Sequence, residues 1–190
     1  EIQEEIPDGS CVTIGNFDGV HKGHQVLLQR VRDKARNLGL KSIAITFDPH
    51  PLRVLVGKTP PFITLTKQKL ELLEQMNLDY VLCLRFSPEI AQLSPEEFVL
   101  RYLFKGVNML HLVVGYDYVF GKKRRGNFSL LCNLGREYGF EVEQIPPVFC
   151  QDQIISSTLI REMIQKGDVL NASLLLDRYY QVQGEVIQGQ

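Results

Sequence analysis

The feature that most constrains the fold is a regular alternation of short apolar runs with stretches of helical periodicity. Five runs have the length and apolar or β-branched content of buried strands: 11–14, 42–47, 80–84, 110–115 and 140–145. Helical patterns separate or follow them at 25–39, 66–77, 94–104, 129–139, 156–167 and 168–177. Continuously apolar strands that alternate with helices are typical of an α/β protein, in which helices cover both faces of a parallel sheet.

Residues at the helix ends support these boundaries. Gly39 and Gly139 are expected to end two helices, because glycine readily adopts the left-handed backbone that follows a helix. Another helix should begin at Ser94 as N-cap, with Pro95 at its first position and Glu97 completing a capping box. The first helix is expected to bury one face, made of Val26, Leu27, Val31, Ala35 and Leu38.

Composition narrows the class of protein. The chain has 190 residues, of which 44% are hydrophobic and 23% charged, and its formal net charge is -1. Such a chain can bury one sizeable core, and its charge attracts neither nucleic acid nor anionic lipid in general. No apolar run approaches the roughly 18 residues that span a bilayer. We therefore expect no nucleic-acid partner and no membrane partner.

The four cysteines form no C-x-x-C pair, which gives no support to a zinc ribbon or a redox motif. Cys11 and Cys83 lie inside predicted strands, where a free cysteine acts as a small buried hydrophobic residue. A reducing, cytoplasmic setting fits this pattern best.

The segment GNFDGVHKGH, residues 15–24, joins the first strand to the first helix. His21 and His24 are three residues apart, so they share one face of the first helical turn. A helix N-terminus offers free N–H groups and partial positive charge to a phosphate, and imidazole adds a donor without a permanent charge. Glycines at 15, 19 and 23 permit sharp turns and close approach of a ligand. A histidine pair alone would as readily be structural.

Zinc is a competing interpretation, because His50 in the FDPHP segment could join His21 and His24 as a third ligand. The helix dipole repels a cation at this position and argues against it.

Two further segments could meet phosphate. SSTLIR, residues 156–161, opens a helix, so Ser156 or Ser157 could act only as a cap. With Thr158 and Arg161, however, the hydroxyl and guanidinium donors would also form an anion cradle. The run FGKKRRGN, residues 120–127, is either a solvated basic loop or a loop that closes on phosphate. Parallel strands place the turns after residues 14, 47 and 115 along one edge of the sheet.

The last segment departs from the alternation of strands and helices. Tyr180, Val182, Gly184 and Val186 alternate with polar residues, as in the first strand of an antiparallel unit. This pattern indicates either an edge strand or frayed terminus, or the start of a second, all-β domain.

Four segments in this order, GNFDGVHKGH, TFDPHP, GYDYVFGKKRRG and ISSTLIR, resemble the adenylyltransferase module of prokaryotic FAD synthetases, the bifunctional riboflavin kinase/FMN adenylyltransferases. The resemblance spans about residues 10–178 and implies a Rossmann-like nucleotidyltransferase fold. It implies a domain over 1–178, with 179–190 as the start of a riboflavin kinase β-barrel that the full-length chain would carry. The family commonly has Leu-Gly-Arg where this chain has Leu176-Asp177-Arg178, a Phe at Tyr118 and a small residue at Arg125.

The resemblance also implies site roles. Catalysis is expected from His21, His24 and Arg161. ATP would be bound by Gly15, Asn16, Phe17, Asp18, Gly19, Gly23, Ser156, Ser157 and Thr158. FMN would be bound by His50, Pro51, Asp117, Phe120 and Arg124. The FMN phosphate would attack the α-phosphorus of ATP, pyrophosphate would leave, and FAD would form. Mg²⁺ would be held by the substrate phosphates rather than by a protein metal site.

Two other classes of function compete with this one. Another His-x-Gly-His nucleotidyltransferase, specific for pantetheine phosphate or nicotinamide mononucleotide, shares the phosphate motif, but TFDPHP and the C-terminal junction count against it. A module that binds flavin or nucleotide without turnover is the second, against which the intact His21, His24 and Arg161 weigh.

Overall fold

A computed structural model describes residues 6–57 and 61–184 of the chain. Its central feature is a five-stranded sheet in the order β3-β2-β1-β4-β5, and every neighbouring pair of strands in it is parallel. The strands are β1 (Ser10–Ile14), β2 (Lys41–Asp48), β3 (Tyr80–Arg85), β4 (Met109–Gly115) and β5 (Glu141–Ile145). All five correspond to the predicted apolar runs, so the predicted parallel α/β sheet is confirmed.

Helices connect and flank these strands. They are α1 (Lys22–Leu38), α2 (Pro51–Val56), α3 (Thr66–Glu74), α4 (Pro88–Gln92), α5 (Pro95–Phe98), α6 (Phe128–Tyr138), α7 (Ser157–Gln165) and α8 (Val169–Leu176). Helix α5 continues as a π-helix over Val99–Phe104, where the sequence predicted one α-helix. A 3-10 turn covers Lys122–Arg124, and a short antiparallel hairpin pairs β6 (Phe149–Cys150) with β7 (Gln153–Ile154).

Alternate residues of the central strand point to opposite faces of the sheet, and helices cover both faces. Val12 and Ile14 of β1 pack with residues of α5, the π-helix and α6. Cys11, one position away, packs with residues of α1 and α3. This two-sided burial explains why the strand sequences are continuously apolar rather than alternating.

The predicted caps are present. Gly39 and Gly139 follow α1 and α6 in the left-handed conformation, with φ values of 69° and 81°. Ser94 and Glu97 form a reciprocal capping box at the start of α5, with Pro95 in the first turn. These local signals therefore act as the sequence predicted.

Two predictions about burial are wrong. Val26 and Leu38 of α1 are 43% and 51% exposed, whereas Leu28 is fully buried, because the helix turns a slightly different stripe towards the sheet. Cys83 is exposed, because β3 is an edge strand and the helices cover less of its surface. Cys11 is buried as predicted, and burial raises the pKa of its thiol to about 12.

The segment after α8 adds no strand to the described part of the chain. Its backbone is anchored at Tyr180, whose N–H donates to the hydroxyl of Ser173 over 3.1 Å. Residues 179–184 form no strand pairing, and residues 185–190, including Val186, lie outside the described residues. A first strand requires a partner for its N–H and C=O groups. The predicted β-domain from residue 179 therefore stays a prediction.

Candidate active site

The site lies where three strands end at the same edge of the sheet. β1 lies between β2 and β4, and the chain runs from β1 to β2 and β3 before it returns to β4 and β5. The order of the strands therefore reverses beside β1. In open α/β sheets, ligands bind in the crevice that this reversal leaves at the carboxyl ends of the strands.

The turn after β1 is held in a conformation that few residues could adopt. Phe17 is buried with a φ of 49°, and Gly19 has a φ of 84°. The backbone conformation favours glycine there, and a Cβ added at Gly19 would press on the Ile63 side chain at 3.0 Å. Gly15 donates its N–H to Ile45 O over 3.0 Å, which ties the turn to β2. Asn16 is exposed at the tip of the turn.

The two histidines meet at the start of α1. His21 is the N-cap, and its Nδ1 accepts a hydrogen bond from the His24 N–H over 3.3 Å. The two rings are stacked, with 3.6 Å between their centroids, and the buried Phe17 ring packs edge-on against His24. Because Nδ1 of His21 is an acceptor, a neutral His21 carries its proton on Nε2 and can donate from there. In the described structure, the buried Nδ1 of His24 has no hydrogen-bond partner.

Both imidazoles are held neutral at pH 7. Burial lowers the pKa of His21 to about 4, with Asp18 opposing the shift. Burial also lowers the pKa of His24 to well below its usual range, and the neighbouring charge of His21 adds to the effect. The pair therefore offers donors that carry no charge until an anion favours the protonated form.

Asp18 organises the residues around the histidines. Its buried carboxylate accepts hydrogen bonds from the backbone N–H groups of Ile63 and Thr64, each over 3.1 Å. It also accepts from Arg161 Nη2 over 2.7 Å, and Arg161 Nε donates to Pro61 O over 3.0 Å. The sequence predicted that Arg161 reaches phosphate. In the structure, its guanidinium is paired with Asp18. This ion pair holds the guanidinium at the mouth of the site.

Helix α7 begins beside the start of α1. Ser156 is its N-cap and accepts from the Leu159 N–H over 3.2 Å, so the capping interpretation holds for this serine. Ser157 instead donates its hydroxyl to Asp18 O over 2.9 Å, and Thr158 is exposed in the first turn. A Cβ on Gly23 would approach Ile155 O to 3.6 Å, so little separates the two helix starts. Two N-terminal dipoles thus converge on one small region.

The residues expected on the flavin side lie on neighbouring parts of the same edge. His50 caps α2 and accepts from the Leu52 N–H over 3.2 Å, Pro51 follows it in the first turn, and burial lowers the pKa of His50. Phe120 pairs with Gly126 and stacks on Tyr118, while Asp117 and Arg124 are exposed. In the described residues, no hydrogen bond joins any of the five predicted positions to the histidine pair. No group of three His, Cys, Asp or Glu side chains there is placed to hold a metal ion, and this includes the three proposed zinc ligands.

Sequence reasoning missed three residues of this region. Arg178 donates from Nη2 to Gly19 O over 2.6 Å and from Nη1 to Leu176 O over 3.1 Å. Gln25 donates to Val20 O over 2.9 Å and to Leu176 O over 3.1 Å. Lys69 is buried beneath the end of β2. Only Lys69 carries a local signal, because its four-residue spacing from Leu73 places it on the buried face of α3.

The fold and this arrangement together define a Rossmann-like α/β protein in which two helix N-termini meet at the switch point of its sheet. Comparison with known proteins points to one family. The chain matches the family model described as FAD synthetase over residues 3–159. It therefore belongs to the FAD synthetase family, and this membership favours the flavin branch over the other nucleotidyltransferases considered from the sequence.

The names of curated relatives agree with this family. The chain is 37% identical over 188 residues to the bifunctional riboflavin kinase/FMN adenylyltransferase of Escherichia coli K12, covering 97% of this chain and 60% of that protein. A relative of the same name from Pseudomonas fluorescens is 38% identical over 182 residues, with coverage of 96% and 58%. The chain thus spans about 60% of the length of these relatives.

A solved structure shares the architecture. A crystal structure described as a macrolide-efflux protein from Streptococcus pneumoniae matches with a TM-score of 0.84 and 32% identity, covering 96% of this chain and 61% of that one. Within the described part of this chain, none of the helices combines the length and apolar content needed to cross a bilayer.

Proposed function

We propose that this chain transfers the adenylyl group of ATP to FMN, giving FAD and pyrophosphate. The observation that carries the proposal is the convergence of two helix N-termini with His21, His24 and Arg161 at the switch point of the sheet. Such a site suits a polyphosphate, because backbone N–H groups, dipoles and a guanidinium all favour anions. Membership of the FAD synthetase family and the names of the relatives support FMN as the acceptor.

The expected roles follow from the chemistry. The phosphate of FMN is already a nucleophile at neutral pH, so no protein base is required. His21 and His24 would donate to the α-phosphate of ATP, where negative charge builds as the new P–O bond forms. The glycine turn, Ser156, Ser157 and Thr158 would position the phosphates. Arg161 would meet the departing pyrophosphate by exchanging its Asp18 contact for phosphate oxygens. Positioning and charge stabilisation then account for catalysis.

We assign Mg²⁺ to the phosphates of ATP. Asp18 is the carboxylate nearest to this region, and its oxygens are engaged by Arg161, Ile63 and Thr64. The ion would therefore take its ligands from phosphate oxygens and water, which is the usual arrangement for Mg²⁺ with nucleotides. When bound, it would neutralise part of the phosphate charge.

The names of the relatives support a proposal about a longer protein that would contain this chain. Because the relatives are bifunctional and extend well beyond the matched length, we propose that the whole protein also phosphorylates riboflavin to FMN. We further propose the reducing cytoplasm as its compartment, since all four cysteines are free.

The direct test is mass spectrometry of the products after the purified chain has been incubated with FMN, ATP and Mg²⁺. We expect stoichiometric FAD and pyrophosphate. His24→Ala should fold and lose activity by about 100- to 1000-fold, the usual cost of one transition-state donor. Val26→Ala is the matched control, because Val26 is exposed on the same helix and should leave turnover unchanged. Tight binding of FMN and ATP without FAD would instead identify a binding module. Turnover of His24→Ala within about threefold of the parent would overturn the role of this histidine.

A further inference from the structure

Lys69 stands out among the charged residues of the described chain. Asp18 and Lys69 are the only Asp, Glu, Lys or Arg residues that are buried there, at 4% and 7% exposure. Asp18 is satisfied by Arg161 and by the backbone of Ile63 and Thr64. Lys69 Nζ makes a single hydrogen bond, to Phe47 O over 3.0 Å, and no described carboxylate lies within 4.0 Å of it. The buried acid therefore has a charged partner, whereas the buried base has a single neutral acceptor.

An ammonium group has three N–H donors and requires acceptors when it leaves water. Burial with only one acceptor is costly, and that cost is seen in the pKa of Lys69, which burial lowers. A lysine on the surface of a helix such as α3 would ordinarily extend its head group into solvent. Lys69 instead keeps it inside, which leaves donor capacity free for an anionic ligand.

The position of the ammonium is at the edge of the sheet that forms the site. Phe47 lies near the end of β2, the strand beside β1, and opens the FDPHP segment. Helix α3 is fixed to the same place, because Thr66 donates its hydroxyl to Asp48 over 2.8 Å. The charge of Lys69 also contributes to lowering the pKa of both His24 and His50. Lys69 therefore lies within electrostatic reach of the histidine pair and of the flavin-side segment.

We propose that Lys69 binds the phosphate of FMN and holds it in line with the α-phosphorus of ATP; this rests on the function proposed above. One oxygen of that phosphate forms the new bond to the α-phosphorus as the bond from the α-phosphorus to the pyrophosphate oxygen breaks. The leaving pyrophosphate keeps that electron pair, and no proton has to move. Lys69 stays bound to a non-attacking oxygen of the FMN phosphate.

The FMN phosphate is favoured over ATP because the ATP side already has its cation. Arg161 and two helix N-termini serve the triphosphate. On the flavin side, Arg124 is exposed and the depressed pKa of His50 keeps that ring neutral, so neither supplies a buried charge. Lys69 supplies it at the boundary between the two substrates, where the nucleophile must approach.

The test compares the affinities of two flavins, FMN, which carries the phosphate, and riboflavin, which lacks it. FMN and riboflavin are titrated into the parent chain and Lys69→Met, and flavin fluorescence reports binding without any turnover. We expect Lys69→Met to lose about 10- to 100-fold in FMN affinity, as for loss of a charge-assisted hydrogen bond, and to bind riboflavin as the parent does. ATP affinity should stay within about twofold. Lys67→Met is the matched control, because Lys67 is exposed on the same helix and should change neither affinity.

Two results of these titrations would refute the role proposed for Lys69. Equal weakening of FMN and riboflavin, or loss of ATP affinity alone, would refute the assignment. Lys69→Gln is the second variant, because its amide can still donate to Phe47 O while the charge is gone; it should lose the same phosphate-dependent affinity. If neither replacement folds, the lysine is structural and the proposal fails. A parent chain that prefers FMN to riboflavin through Lys69 but forms no FAD would refute the transferase activity and leave this site standing.

Discussion

At the scale of single residues, the stability of the site depends on whether each buried charged side chain has a partner of opposite charge. The Asp18–Arg161 pair spans 2.7 Å, and the two side chains are only 5% and 16% exposed. Removing one member of such a pair lowers the stability more than replacing both members by apolar residues, because the remaining charge stays buried without a partner. The pair therefore supports the fold, and its guanidinium is the group proposed to meet the triphosphate.

We predict that Arg161→Ala lowers the free energy of unfolding by about 3 kcal/mol, because the Asp18 carboxylate loses its cation. Asp18→Asn in the same chain should restore much of the loss, and denaturant unfolding of both single variants and the double variant measures this coupling. The single variant should also bind ATP more weakly while its affinity for FMN alone is kept. Arg161→Lys should rescue ATP binding only in part, since lysine lacks the bidentate fork. A tenfold loss of FMN affinity with ATP affinity intact would reverse the assignment of the two substrates.

A second prediction concerns pH and His21. Its pKa of about 4 in the folded chain lies below the ordinary value of 6.5. Between these values the unfolded chain binds a proton that the folded chain excludes, so stability falls as pH falls from about 6.5 to about 4. The loss from this group totals about 3 kcal/mol and levels off at lower pH.

His21→Asn should flatten that dependence, because asparagine does not titrate in this range and is a good N-cap. Urea unfolding at pH 7 and pH 4.5 provides the measurement. His24, whose pKa is also lowered in the folded chain, contributes in the same direction, so some slope should remain. An unchanged difference between the two pH values in the variant would exclude His21 as its source.

At the scale of elements, the end of α8 is joined to the start of α1. Arg178 and Gln25 bind the carbonyl groups of Gly19, Val20 and Leu176, and Lys22 pairs with Asp177 over 3.2 Å. Asp177 adopts a left-handed φ of 59° at the position where the family commonly has glycine. The helix pair after the sheet thus fixes the turn that carries the histidines.

We predict that Arg178→Ala lowers kcat by at least about tenfold while substrate affinities change less, because a displacement of the turn of about 1 Å misaligns the donors. Arg178 touches only backbone carbonyls in the described structure, so it acts by positioning. Arg36→Ala is the control, since Arg36 is exposed at the far end of α1. A fall in affinity alone, with kcat kept, would show that Arg178 contacts a substrate instead.

At the scale of the whole molecule, one sheet brings together segments that are distant in the chain. The turn after β1, the residues around Ile63 and helix α7 meet around a single residue, Asp18, through its carboxylate and its backbone carbonyl. Removal of any one of these segments would leave buried donors or acceptors without partners. The part of the chain that contains these three segments is therefore expected to fold as a unit.

We predict that the purified 190-residue chain converts FMN to FAD and does not convert riboflavin to FMN. The family match ends at residue 159, and the matched chain covers about 60% of relatives that are named for both activities. Chromatography of the products from riboflavin, ATP and Mg²⁺ measures this. ATP-dependent formation of FMN would contradict the proposed division into domains.

Much of the fold was predictable because its signals are local. Five apolar runs, the Ser94–Glu97 capping box and the glycines after α1 and α6 each depend on neighbours within a few residues. The π-helix after α5 was not predictable, because nothing in the local pattern distinguishes it from an α-helix. The exposure of Cys83 depends on which strand lies at the edge of the sheet, and strand order is a property of the whole chain.

The sequence by itself determined that two motifs, His21 with His24 and Ser156 to Arg161, each stand at the start of a helix, and from this it predicted a phosphate site. Only the tertiary structure decided how these motifs meet. It paired Arg161 with Asp18 and left Lys69 buried with one hydrogen bond. The physical reason is that capping and helix dipoles act within one turn of chain, whereas the burial of a charge and the choice of its partner depend on residues brought together by the whole sheet.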